Sequence, residues 1–283
     1  MKKENGFTLI ETMIALFIGM MMLTAIYTVV NSAQRSSTAI ERKVIAQQDA
    51  RAALELMAME IRMASYNPNS TTGNWLSNSA NNFDTHSYCT SVSGNQNYLG
   101  IQEATATSIT VEMDMNENCT DKDDPICMRN YTGNLNPNEV IRYNYDTTTT
   151  NLTRYITRET QCGGDMPFLG NSEANAALGQ PRTVRVINND LNPVIPVFRY
   201  YNGSGACILE VGEPATGNCV GNEDTSHLPD AIPNIRRIEI TLVVETENDE
   251  PGAPLNPITN RRTKTIIYST SVIPRNHIPI PTY

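Results

Sequence analysis

A single carboxylate stands inside an apolar run. From Phe7 to Val30 the chain is almost wholly apolar, and Glu11 is the one charged residue there. A lone carboxylate in a membrane helix is costly, and such groups are functional or paired by default. A chain cut between Gly6 and Phe7 would carry a new α-amine at the start of the helix, with Glu11 near its first turn. In a bundle of parallel helices, the amine of one subunit meets Glu11 of its neighbour. Each charge alone is expensive in lipid and their union much less so. The carboxylate also suits the positive end of the helix dipole.

The other residues able to do chemistry are scattered. Six cysteines, Cys89, Cys119, Cys127, Cys162, Cys207 and Cys219, all follow the apolar run. None forms a CxxC and none precedes a His, which removes the zinc-ribbon, thioredoxin and c-type haem readings. An even number in an exported region implies three disulfides in an oxidising compartment. Cys119–Cys127 and Cys207–Cys219 are natural local closures, and Cys89–Cys162 follows by elimination, out of fifteen possible pairings. Asp114, Asn116, Asn118 and Asp121 offer alternating oxygen ligands that calcium accepts. The turn Gly and closing Glu of an EF-hand are missing, so a solvated loop is the preferred reading and no cofactor is expected. His86, His227 and His277 sit in polar, loop-like settings and read as surface residues. No nucleophile elbow, HExxH, P-loop or GxGxxG in strand context occurs, so no enzyme is expected.

Composition sets the frame for these groups. The chain has 283 residues, a net charge of −9 and 18% charged residues. That charged share is low, and Asn, Thr and Ser fill the gap, which suits an exported β-rich domain. An acidic chain without a Lys/Arg cluster repels a phosphate backbone, so nucleic-acid binding is not expected.

The apolar run must be placed by a membrane. As a helix, Phe7–Val30 spans about 36 Å, enough to cross a bilayer. Lys2 and Lys3 precede it, which puts the N-terminus in the cytoplasm and the bulk outside. A cleaved secretory signal fits poorly, because the run is long and passes into Tyr27-Thr28-Val29-Val30 without a small-residue cleavage site.

Gly6-Phe7-Thr8-Leu9-Ile10-Glu11 resembles the cleavage motif of type IV prepilins and type II secretion pseudopilins. The resemblance implies that a prepilin peptidase cuts after Gly6 and N-methylates Phe7, and that Glu11 registers the subunit during assembly. No proline lies between Phe7 and Asn67, so the proline kink of many major pilins is not encoded; Gly19 is the one weak point for local melting.

Beyond the membrane the helix should continue to Tyr66, with Asn67-Pro68 stopping it. Ile40, Val44, Gln47, Arg51, Leu54, Ala58, Ile61 and Ser65 recur at helical spacing. Ile45, Ala52, Leu56, Met59 and Met63 form a second row. Together they predict a stripe facing a globular domain, with Glu55 and Glu60 on the other face. Residues 69–98 read as a long loop. Strands are expected at Ser108–Met113, Glu139–Asp146, Leu152–Arg158, Val194–Tyr201, Cys207–Val211, Ile235–Glu245 and Thr263–Val272. The second and third form a hairpin, as do the last two, and one antiparallel sheet packed on the helix is the economical architecture.

The predicted class is therefore α+β, a long helix packed on an antiparallel β-sheet head. Residues 1–6 form a leader, 7–30 the membrane and filament-core helix, 31–66 its amphipathic continuation, and 67–283 the disulfide-bonded head. The helix end Leu56–Tyr66, the segment Ile141–Asp146, the strand Phe198–Tyr201 and the closing Thr270–Asn276 are similar to PilW-like minor pilins, with J-type pseudopilins as relatives. That resemblance implies a subunit at the filament tip or priming assembly, anchored first in a bacterial inner membrane and later part of a surface pilus. The implied partners are the prepilin peptidase, other minor pilins and the major pilin through the helix, and the inner-membrane assembly platform. A J-type pseudopilin and a filament-tip adhesin or calcium-dependent binder are the alternatives.

Overall fold

In the computed structural model, the structure describes residues 8–66, 100–113, 140–145, 154–160, 164–171, 184–246, 255–256, 261–262 and 265–277. One helix, α1, runs Leu9–Arg62. The chain divides into two compact units, Met1–Ile45 and Ala46–Tyr283. In the first, nearly every helical side chain is exposed. The second holds the rest of α1 and all the described strands.

Among the described residues twelve strands follow α1: β1 Ile101–Ala104, β2 Ser108–Glu112, β3 Val140–Tyr145, β4 Arg154–Thr160, β5 Gly164–Asn171, β6 Val184–Val186, β7 Phe198–Tyr201, β8 Cys207–Ile208, β9 Arg237–Thr246, β10 Leu255–Asn256, β11 Arg261–Arg262 and β12 Thr265–Val272. They build two five-stranded sheets and a small β10–β11 hairpin, not the single sheet expected. The first sheet is a meander in the order β1-β2-β3-β4-β5. The second is centred on β9, which pairs with β12 along one edge and with β6 and β7 in tandem along the other. β8 extends it beyond β7. Both predicted hairpins form, β3 with β4 and β9 with β12. The strand expected from Val194 begins only at Phe198. Strands β1, β5, β6, β10 and β11 were not foreseen.

Alternation explains which strands hold the core. Ile141, Tyr143 and Tyr145 of β3 are buried, as are Ile238, Ile240, Leu242 and Val244 of β9. From α1, Ala46, Ala50, Ala53, Leu54, Met57, Ala58, Ile61 and Ala64 enter the same core. This face is turned from the predicted stripe: Leu54, Ala58, Ile61 and Ser65 are buried, but Ile40, Val44, Ile45 and Met59 are exposed. Five of the eight residues that α1 sends into the core are alanines, small side chains that fill a helix face without overpacking it. Glu60, expected on the open face, is buried and accepts a hydrogen bond from the Tyr143 hydroxyl.

The helix stops before the expected Asn67-Pro68. Ser65 adopts φ +64° and its N–H donates to the Glu112 carbonyl of β2 at 2.9 Å. Gly100 lies against this turn, and a Cβ there would meet the Ser65 nitrogen at 2.3 Å, so only glycine fits.

Polar side chains tie the sheets together. The Tyr145 hydroxyl donates to the Val186 carbonyl at 2.9 Å, and Tyr200 donates to the carbonyls of Thr105 and Ser108 at 2.9 and 3.1 Å. The Ala106 carbonyl accepts from the N–H groups of Val197 and Phe198 at 2.9 and 3.1 Å. Asn188 fills the gap along β9 between β6 and β7. Its amide donates to Ile195 and Thr241 carbonyls at 3.1 and 2.8 Å, and its oxygen accepts from Val243 N–H at 2.9 Å. The side chain thus continues a ladder that the backbone leaves open. Truncation to Asn188→Ala strands buried backbone groups and should cost about 3–5 kcal/mol in a denaturant melt. Asn222→Ala, which removes one exposed hydrogen bond, should cost no more than about 1 kcal/mol in the same melt.

Candidate functional site: the amino-terminal helix and its head

The first turn of α1 places the chemistry. The Thr8 carbonyl accepts from the N–H groups of Glu11 and Thr12 at 3.1 and 3.4 Å. Glu11 is the acidic residue of that turn and is exposed, where the helix dipole favours negative charge. Around and beyond it the helix is apolar and uncovered: Leu9 is 82% exposed and Tyr27 69%. Such a surface cannot be left in water, and the segment is long and apolar enough to cross a membrane. Three of its threonines are already satisfied. Thr12, Thr24 and Thr28 donate their hydroxyls to the carbonyls of Leu9, Met20 and Ala25 at 2.7, 2.9 and 2.8 Å. That internal pairing is what a lipid-facing or helix-facing segment requires. Phe17, Met20, Met21, Thr24, Ala25 and Thr28 line a shallow apolar groove along it. Gly6 and Phe7 lie outside the described residues.

Among the described residues of the head, two ion pairs are formed between strands. Arg185 of β6 and Glu245 of β9 are cross-strand partners and form a buried ion pair at 2.5 Å. Glu103 pairs with Arg142 at 3.0 Å and accepts from Ser108 and Thr110 at 2.7 and 2.9 Å. The Tyr201 hydroxyl donates to Glu239 at 2.6 Å, while the Arg237 guanidinium lies 3.5 Å from its ring centre. Burial pushes the Tyr200 phenol well up, reinforced by Glu103 and Glu210, and burial together with Glu239 raises Tyr201. Both phenols therefore stay protonated donors. Among the described residues no group of three or more His, Cys, Asp or Glu is placed to hold a metal ion.

Several predicted residues can be placed. Cys207 and Cys219 form a disulfide with a Cα–Cα separation of 5.5 Å. It is buried with Tyr201 and Leu209 beneath the loop it closes. Cys89, Cys119, Cys127 and Cys162, the calcium candidates Asp114, Asn116, Asn118 and Asp121, and His86 lie outside the described residues. His227 is exposed, as expected. His277 is not a surface residue. It is buried, with Nε2 2.9 Å from the Ile232 carbonyl and Nδ1 3.3 Å from the Ser65 hydroxyl. Its apolar setting, Ile273-Pro274 before and Ile278-Pro279 after, was the available signal. Sequence reasoning also missed the Glu60–Tyr143 contact and Asn188, neither of which has a local signature.

Residues 1–27 match the prokaryotic N-terminal methylation motif. The match covers the amino terminus, where the apolar part of α1 begins. Among solved structures it is similar to the type IV-like pilin TTHA1219 from Thermus thermophilus, at 11% identity and a TM-score of 0.39, over 82% of this chain and 96% of that one. No curated protein matches it.

Two outcomes follow for the head. Replacing both Cys207 and Cys219 by serine opens a short loop and should lower stability by about 3 kcal/mol, read by denaturant midpoint with and without reductant. Asp224 is held below its ordinary carboxyl value, chiefly by the Ser226 N–H and then by the Asn202 amide. Its contribution is complete above the unfolded pKa of about 3.9 and is lost as pH falls through the depressed folded value. An acid unfolding series should therefore show a shallower acid-side decline for Asp224→Asn than for the parent.

Proposed function

We propose that this chain is a structural subunit of a type IV pilus-type filament, a PilW-like minor pilin, and performs no catalysis. One observation carries the reading. The methylation motif of residues 1–27 is continuous with an uncovered apolar helix that bears Glu11 in its first turn. A segment built this way has one use in two settings. In the membrane, lipid covers it; in a filament, neighbouring helices do, and its backbone is satisfied in both. Glu11 then finds the α-amine of the adjacent subunit, which fixes register along the bundle.

On this reading, prepilin peptidase cuts between Gly6 and Phe7, and the assembly platform moves the subunit from the inner membrane into the filament. Other pilins contact α1 and the head sets which of them. The place at the tip or in priming rests on the sequence resemblance at Leu56–Tyr66, Ile141–Asp146, Phe198–Tyr201 and Thr270–Asn276.

Mass spectrometry of protein from its native membrane should find N-methylated Phe7 as the first residue. An intact Met1, or a start beyond Val30, would overturn the reading. In the same cells Glu11→Leu should still insert in the membrane but enter sheared filaments at least about ten-fold less, the cost of an unmatched buried amine. Unchanged incorporation would remove Glu11 from the mechanism.

A further inference from the structure

The second sheet turns one face away from the main core. On β9, Ile238, Ile240 and Leu242 enter that core, so Arg237, Glu239 and Thr241 alternate to the opposite face. On β7, Phe198 and Tyr200 enter the core, and Arg199 and Tyr201 share the opposite face. β12 adds Ser269, whose hydroxyl lies 3.1 Å from that of Thr241 and donates to Glu239 at 3.3 Å. The loop closed by Cys207–Cys219 folds against Tyr201 there and makes a small second core.

Two arginines on this face lack an acid partner. Arg237 is the cross-strand partner of Tyr201, and its guanidinium lies 3.5 Å from the ring centre. Arg199 donates to the Thr216 hydroxyl at 3.1 Å and reaches the Tyr201 hydroxyl. Glu239 stands opposite Arg199, yet its oxygens accept from Tyr201 at 2.6 Å and from Ser269 at 3.3 Å. The carboxylates of the adjoining loop are engaged as well. Glu210 takes the Ala106 N–H, Glu213 the Glu210 N–H, Glu223 the Gly221 N–H and Asp224 the Ser226 N–H. Among the described residues neither arginine forms an ion pair, and the Arg237 guanidinium makes no hydrogen bond.

Stacking on Tyr201 fixes the plane of the Arg237 guanidinium in advance, so a ligand need not freeze a long side chain. The group is half-buried, where a charge-assisted hydrogen bond is stronger than in open water. Its planar fork of N–H donors matches a carboxylate in bidentate fashion. Glu239 and the loop carboxylates repel a dianion or an acidic run but tolerate one negative charge. A sheet face is flat rather than concave, which suits a protein partner over a small molecule.

We propose that Arg237, with Arg199 beside it, anchors a single carboxylate side chain of a partner protein on this face of the second sheet. The carboxylate takes the open fork of Arg237, and the hydroxyls of Thr241 and Ser269 border it. The assignment concerns the head alone and is independent of how the amino terminus is processed.

The probe is a short Ser/Thr peptide with one central glutamate, titrated into the full chain in detergent while the arginine Nε–H signals are followed by NMR. The Arg237 signal should move and saturate. The glutamine counterpart should bind at least about ten-fold more weakly, and a peptide with a run of glutamates should bind no more tightly than the first. Both comparisons use the unaltered chain, so neither depends on a variant folding. Arg237→Lys keeps the charge but loses the fork, and should weaken binding about ten-fold with the denaturant midpoint little changed. The proposal is overturned by an unmoved Arg237 signal at saturating peptide, by equal binding of the glutamate and glutamine peptides, or by tighter binding of the glutamate run. It is equally overturned by an Arg237 signal that moves with protein concentration alone, which would mean that a second copy occupies the face.

Discussion

Apolar helix surface must be covered in every state the protein visits. In the unit Met1–Ile45 nearly every described side chain of α1 is exposed, so this surface calls for an apolar partner. This requirement shapes the polar groups of the segment. Its threonines turn their hydroxyls onto the helix backbone, so they present methyl groups outward. Glu11 is the exception, and it stands where the helix dipole and a cleaved amine can balance it. Among the described residues, burial of α1 begins at Ala46.

From there the same helix obeys a different rule. One face is buried against both sheets, and alanine dominates it. Hydropathy ranks Ile40, Val44 and Ile45 above any alanine, and a stripe drawn by hydropathy follows them. Packing ranks by fit instead, and Ala46, Ala50 and Ala53 are the residues buried in the core. The helix was legible as an element, but its inward face was not.

The strands divide in the same way. β2, β3, β9 and β12 alternate over five or more residues, so their pattern shows. β5 carries Pro167 and two glycines, and β6 has three residues, so neither reads as a strand alone. That there are two sheets rests on β6 and β7 sharing one edge of β9, a long-range choice held by Asn188 and Tyr200. No local spacing announces such partners. The Cys207–Cys219 bond was legible because its closure is local, and the amino-terminal motif because its chemistry lies within a few consecutive residues.

The close of α1 has a mechanical side. At Ser65 the helix meets three separate parts of the head: β2 through the Glu112 carbonyl, the chain beside Gly100, and the segment after β12 through His277. Tension drawn along the helix axis enters the fold at these points together. The Ser65–Glu112 bond, the buried imidazole and the alanine face resist as parallel restraints, so the load is spread and no one strand is peeled away first. The end of α1 leaves the sheets only when these contacts give way together.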